Sequence, residues 1–343
     1  MANFDTSNLL TAQTILANKY ATPEMRMKPA PAFQLLTQNA PFLMESYELL
    51  RTREDRAIEA HLLARTKRAS GAGRTYNHTG TIDDSAKVTL QWTTKSDPTT
   101  ISLKLLDKSV FDFNTVLANK LEQCCMNILE DKETETIAYL RAQRATQQPA
   151  ALQGVTFNAG THAVEVDAVE IEQKRFFAWV RSIARQNYFG GAMIDIIADS
   201  KMAVQAEFLA AQGVANATNW GYQFGNVNIV ESVEMRDPNY TQGSALVMPG
   251  SGACTLNWIP RQNRDGHGDY NTYVGGFGTF NFLGYDFALH GYTTRADTSA
   301  SNGNSQDNVM EFELSLDSSY NKAPLVYTTD RTDSVIIEVA QAS

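Results

Sequence analysis

The residues best placed to do chemistry begin with Asp199 and Ser200, at the break in GGAMIDIIADSKMAVQAEFLAAQG (190–213). An apolar run from Met193 to Ala198 stops there, and a helical pattern continues to Gly213. Strand, turn and helix in that order open many phosphate sites, where backbone N–H groups at a helix start hold an anion. Such a site needs glycine after the strand, so that the backbone can approach the phosphate. Here Gly190 and Gly191 precede the strand, and Asp199 or Ser200 is read as a helix cap. DGHGD (265–269) gathers Asp265, His267 and Asp269, a carboxylate and imidazole set of the kind that ligates metals, but its glycines and its lack of further ligands read as a surface turn. Cys124-Cys125 lacks the C-x-x-C spacing of a zinc or redox site and reads as buried thiols. PGSGA (249–253) is not the G-x-S-x-G of a nucleophile elbow, and the histidines at 61, 78, 162, 267 and 290 form no cluster. No catalytic residue, metal or cofactor is expected, and the chain is not read as an enzyme.

The charges point elsewhere. The formal charge of the 343 residues is −9, which favours solubility and argues against a protein that coats DNA with its whole surface. Residues 1–80 carry +3 and the remainder −12. Arg65, Lys67, Arg68 and Arg74 form a basic cluster that reads as a contact to DNA or to an acidic patch on a neighbour, or as a solvated helix-to-loop junction. It lacks the interleaved aromatics of a single-strand binder. Three cysteines cannot all pair, so no disulfide framework is expected and a reducing cytoplasm suits the chain. The start carries no secretory pattern, and no apolar stretch approaches the ~20 residues that cross a bilayer. The chain is read as soluble.

The elements around these residues have an unusual order. Residues 1–45 mix short apolar patches with Pro23, Pro29, Pro31 and Pro41, and read as an extended arm. A helix is expected over 42–68. Val88, Leu90 and Trp92 alternate, as do Ile101, Leu103 and Leu105, with Lys95-Ser96-Asp97-Pro98 between them, which reads as a long β-hairpin turning at 95–98. An isolated hairpin is marginal in water, so its apolar residues are expected to meet another subunit. Residues 113–147 contain no Gly or Pro and read as one strut helix capped by Asn114. Its apolar stripe (Leu117, Leu121, Cys124, Ile128) breaks at DKETET (131–136), so one half is expected to be exposed or covered by a partner. A helix at 167–187, the strand and helix at 193–213, and strands at 227–230 and 245–248 make an α/β layer; the residues from 273 onward are mostly β.

Arm, helix, unsupported hairpin, strut, compact α/β unit and closing strands resemble, in that order, the major capsid protein of tailed bacteriophages, the HK97-like fold. MIDIIADSKMAVQAEFLAAQG with YQFGNVNIVES, and FALHGYTTRAD with VMEFELSLDSSYNKAPLVY, are the stretches that look most like that family. The resemblance implies an α+β fold in five parts. These are an N-terminal arm (1–65), an extended hairpin loop (66–107), a peripheral domain with the spine helix (108–165), an axial domain (166–275) and closing β segments (276–343). It implies self-assembly through hexamers and pentamers into an icosahedral shell around double-stranded DNA held by non-specific contacts. It also implies a virion location after assembly in the host cytoplasm, and separate scaffolding, portal and decoration proteins as partners. Val88, Leu90, Trp92, Ile101 and Leu103 are then intersubunit contacts. A tail tube or sheath subunit, and an α/β enzyme with a dispersed site around Asp199 or His267, are the alternatives.

Overall fold

The computed structural model describes residues 6–21, 29–39, 59–63, 73–74, 85–102, 111–148, 155–166, 176–187, 189, 193–213, 227–268, 275–297, 306–323, 325 and 332–342. One long helix, α3 (Phe113–Ala142), organises them. Its 30 residues span about 45 Å at 1.5 Å per residue. Asp112 is the cap, and its carboxylate accepts from the Asn114 N–H at 3.3 Å. Asn114, expected in that role, is already inside the helix, because a cap must precede the amides that it satisfies.

The N-terminal half of α3 packs against a six-stranded sheet of β10 (His267–Gly268), β11 (Gly276–Phe282), β12 (Tyr285–Asp297), β13 (Gln306–Lys322) and β3 (Thr93–Ser102), in that order. β9 (Ala253–Trp258) pairs with the far end of β13. Alternation along the strands sends Phe280, Phe287, Leu289, Met310, Phe312 and Leu314 into one core with Leu117, Leu121, Cys124 and Ile128 of the helix.

The C-terminal half of α3 lies on a second six-stranded sheet, ordered β4 (Thr156–Asn158), β5 (Ala163–Val166), β14 (Ile337–Gln341), β8 (Ser244–Pro249), β6 (Ile194–Ala198) and β7 (Val227–Glu231). Both of its faces are covered. Ile197, Leu246 and Met248 meet Ile137 and Leu140 of α3 on one side. Ile194, Ile196, Val247 and Val339 meet α4 (Phe176–Gln186) and α5 (Ser200–Gly213) on the other. The α/β layer expected here is present.

Three expectations are corrected. The first concerns the arm. Residues 6–21 and 29–39 are not extended: they contain α1 (Thr6–Lys19) and α2 (Pro31–Gln38), both seated on the chain's own body. Pro31 opens α2, where its missing N–H costs nothing, so proline punctuates the segment rather than unwinding it. Leu9, Leu16 and Tyr20 enter the first core, and Leu35 and Leu36 the one behind the second sheet. Burying each leucine contributes about 1.5–3 kcal/mol, enough to hold short helices without a neighbour.

The second correction concerns the hairpin. β3 runs straight through Lys95-Ser96-Asp97-Pro98 and pairs with β13 from Thr93↔Ser318 to Ser102↔Val309. The residues that resembled a turn are satisfied there. Lys95 lies 3.4 Å from Glu135, Asn127 donates to Asp97 at 2.9 Å, and Pro98 occupies an edge strand, where a missing donor is tolerated. The two-stranded ribbon is instead β1 (Glu59–Leu63) with β2 (Ser85–Thr89), paired from Glu59↔Thr89 to Leu63↔Ser85. A strand therefore stands at 59–63, where a helix was expected.

The third correction concerns the polar break in the strut. Lys132, Glu133 and Thr136 are buried. The Lys132 ammonium donates to the Thr93 carbonyl and hydroxyl, both at 3.1 Å, and to Glu135 at 2.9 Å. Burial pulls its pKa down, against the pull of Glu135. Glu133 accepts from the Ala32 and Phe33 amides at the start of α2, at 3.1 and 2.9 Å, and from the Ser232 hydroxyl at 2.5 Å. Burial pushes the pKa of Glu133 up, while those donors oppose the shift. The break is a seam that ties the helix to β3, α2 and the end of β7.

Candidate functional site

Each enzyme-like feature resolves into structure. Asp199 is the buried cap of α5, its carboxylate accepting from the Met202 N–H at 2.9 Å. Gly243 fits against it at φ 116°, where a Cβ would lie 2.9 Å from that carboxylate. Asp265 pairs with Arg261 at 3.1 Å, and His267 is exposed in β10; Asp269 lies outside the described residues. Among the described residues no three His, Cys, Asp or Glu side chains are grouped as metal ligands. All three cysteines are buried and none is in a disulfide, and burial raises the pKa of Cys124 to about 11. Ser251 lies in the turn between β8 and β9, not at a strand-to-helix elbow. No described helix is long and apolar enough to cross a membrane.

Surfaces remain as candidates. Of the five residues expected at an intersubunit contact, Leu90 and Ile101 are buried in their own chain, Ile101 among the residues packed on α3. That assignment is corrected, because β3 is a sheet strand rather than a free hairpin arm. Val88 sits in β2 opposite Ala60. Trp92 is half-buried where β2 leads into β3, with its ring 6.4 Å from that of Trp258. Leu103 lies outside the described residues, as do Arg65, Lys67 and Arg68, while Arg74 is exposed.

The structure adds a groove of about 840 Å³ that sequence reading missed. Its walls are the α3 surface at Glu130–Thr134 and the end of β7 with the turn that follows, Glu231–Glu234; Pro29 and Pro31 border it. Val233 stands 75% exposed at its rim. Other large exposed apolar side chains among the described residues are Leu10 on α1, Phe111 before α3, Met193 before β6, and Val204 with Phe208, one turn apart on α5. The register of α3 was the available signal for part of this. Positions 132 and 136 continue the 117–121–124–128 stripe in steps of four, so they belong to the buried face whatever their polarity, while Asp131 is exposed and Glu135 is half-buried toward Lys132 and Lys95.

Against solved structures, the chain is similar to one from Mycobacterium phage Adephagia with a TM-score of 0.51 at 12% identity, over 93% of this chain and 92% of the other. Its fold is that of a phage protein. A structure from Mycobacterium phage Che8 (TM-score 0.49, 9% identity, 92% of each chain) and the capsid structure of the Cyanophage P-SCSP1u (0.47, 12%, 93% and 90%) also match. No family model matches the chain, and no curated protein does. The α+β architecture expected from the order of the parts is borne out.

Proposed function

We propose that this chain is a phage major capsid protein of HK97-like fold that assembles through hexamers and pentamers into an icosahedral shell around double-stranded DNA. The order of N-terminal helices, separate ribbon, long helix and two sheets supports this reading, together with the shared fold of the phage structure from Adephagia over almost the whole chain. On it, α1 and α2 form the base of the N-terminal arm, β1 and β2 the stalk of the extended loop, and α3 the spine of the peripheral domain. The sheet from β4 to β7 is the core of the axial domain. The role is assembly rather than turnover, the location is the virion, and separate scaffolding, portal and decoration proteins are its partners. Val88 and Trp92 keep their proposed place at a subunit contact, on and beside the ribbon. A paired ribbon standing apart from both sheets supports this, since two strands alone are marginally stable in water.

The register suggests the test. Leu63 faces Ser85, so replacing residues 64–84 by Asn-Gly closes the ribbon with a two-residue turn and leaves both sheets intact. The purified wild type should form closed shells of megadalton mass by electron microscopy and native mass measurement. The shortened chain should unfold with the wild-type midpoint yet form no shells. Tubes, or a monomer that never assembles, would refute the reading of the wild type, and normal shells from the shortened chain would refute the role given to the loop that the ribbon carries.

A further inference from the structure

We infer that the cavity between α1, α2 and the β11–β12 turn is a binding site for a small neutral molecule with an apolar body and one hydrogen-bond acceptor. This goes beyond the shell reading and does not depend on it. The cavity holds about 420 Å³, within the roughly 300–1,000 Å³ of small-molecule sites. Gln13 and Ala17 of α1, Gln34 of α2, and Leu283 of the turn contribute to its walls, with Tyr20 and Tyr285 beside them. Because those walls come from both N-terminal helices and from the first sheet, an occupant ties the helices to the body.

Two further observations point to a ligand. The Tyr285 hydroxyl is buried and has no hydrogen-bond partner, although its residue lines the cavity. A buried polar group left unpaired is costly, and proteins ordinarily supply it a partner. Burial raises the pKa of this phenol, so it keeps its proton and stands as a donor. The hydroxyl of Tyr20, by contrast, is already bonded to Glu122. The second observation is the turn itself. Leu283 and Gly284 alone connect the paired residues Phe282 and Tyr285, and Leu283 has a φ of 52°. That left-handed conformation suits Asn or Gly, and a bulky side chain there is an outlier. Backbone strain of this kind gathers at ligand clamps, and here it borders the cavity. Charge then selects the class of occupant. No charged side chain is among the lining residues, so a phosphate, carboxylate or ammonium would enter unpaired. Aromatic and aliphatic walls favour an apolar body, while the carboxamides of Gln13 and Gln34 and the unpaired phenol offer it uncharged hydrogen bonds.

The proposal is tested on the full chain with three probes of one shape: benzamide, benzoate and benzamidinium. Binding is read by saturation-transfer NMR and by amide hydrogen exchange in α1. Benzamide should bind about tenfold or more tightly than either ion, because only the ions lose their hydration without gaining a counter-charge. At about ten times its dissociation constant it should slow exchange in α1 roughly elevenfold. Ala17→Trp, which fills the cavity from an exposed position on α1, should abolish both effects without lowering the urea midpoint. Tyr285→Phe removes only the unpaired hydroxyl. Its midpoint should hold or rise, while its affinity for benzamide falls about fivefold, the size of one hydrogen bond. Equal or tighter binding of either ion, wild-type binding in either variant, or no binding of benzamide up to its solubility would overturn the proposal. A lower midpoint in Tyr285→Phe would show that the hydroxyl already has a partner, and would overturn it as well.

Discussion

Replacing Glu133 measures how strongly the seam holds the N-terminal helices. Its carboxylate accepts two backbone N–H groups of α2 and the Ser232 hydroxyl. Glu133→Ala leaves three donors without their acceptor, each costing about 1–3 kcal/mol when buried. The groove beside Glu133 lets water reach some of them, so the lower end applies, roughly 3 kcal/mol in all. Glu133→Gln keeps one carbonyl oxygen and the shape, and it also removes the cost of burying a charge, so about 1 kcal/mol is lost. Amide hydrogen exchange in α2, with β13 as internal reference, converts these losses to rates: about 150-fold faster exchange in the alanine variant and about fivefold in the glutamine variant. The pH dependence has a fixed sign. Because burial raises the folded-state pKa of Glu133, the folded chain holds this proton more tightly than the unfolded one. The contribution of Glu133 to stability is therefore largest below the ordinary value of 4.5 and falls as pH rises through the raised value; Glu133→Gln should lack this slope. Wild-type exchange in α2 of Glu133→Ala, or equal damage by Gln and Ala, would refute the reasoning.

Ile101→Ala should cost the isolated chain about 2–5 kcal/mol in urea unfolding through a cavity against α3; an unchanged midpoint would return Ile101 to a subunit interface. Asp199→Ala should lose about 1 kcal/mol and speed exchange at the Met202 amide, with no effect on the first core. Lys132, whose folded-state pKa lies below 10.5, holds its proton less tightly when folded. Its contribution should therefore grow as pH rises between the lowered value and 10.5, a trend that Lys132→Met should abolish in urea midpoints compared across alkaline pH.

What the sequence displayed well was periodicity over long stretches. α3, the strand and helix around Asp199, and the β11–β12 pair all follow from regular spacing, and Asp199 as a cap follows from the absence of glycine after the strand. What it hid was partnership at a distance. Lys95 and Asp97 look like turn residues until Glu135 and Asn127 stand opposite them. Lys132 and Glu133 look like a solvated break until α2 and β3 supply a donor or acceptor for each polar atom. The prolines of the first 45 residues look like obstacles until Pro31 is seen to start a helix. The groove was not legible, because its two walls are about a hundred residues apart in the chain.

The pairing of β3 with β13 also sets a timetable. Ile101 sits opposite Met310, so the strand before the long helix finds its partner only after about two hundred more residues have left the ribosome. At about 5–20 residues per second that is a delay on the order of ten to forty seconds. Through that interval the nascent chain can cover the helix's apolar stripe only with α1, α2 and β3, and β3 itself carries an unpaired edge. The chain should therefore depend on a chaperone during translation far more than its finished stability suggests.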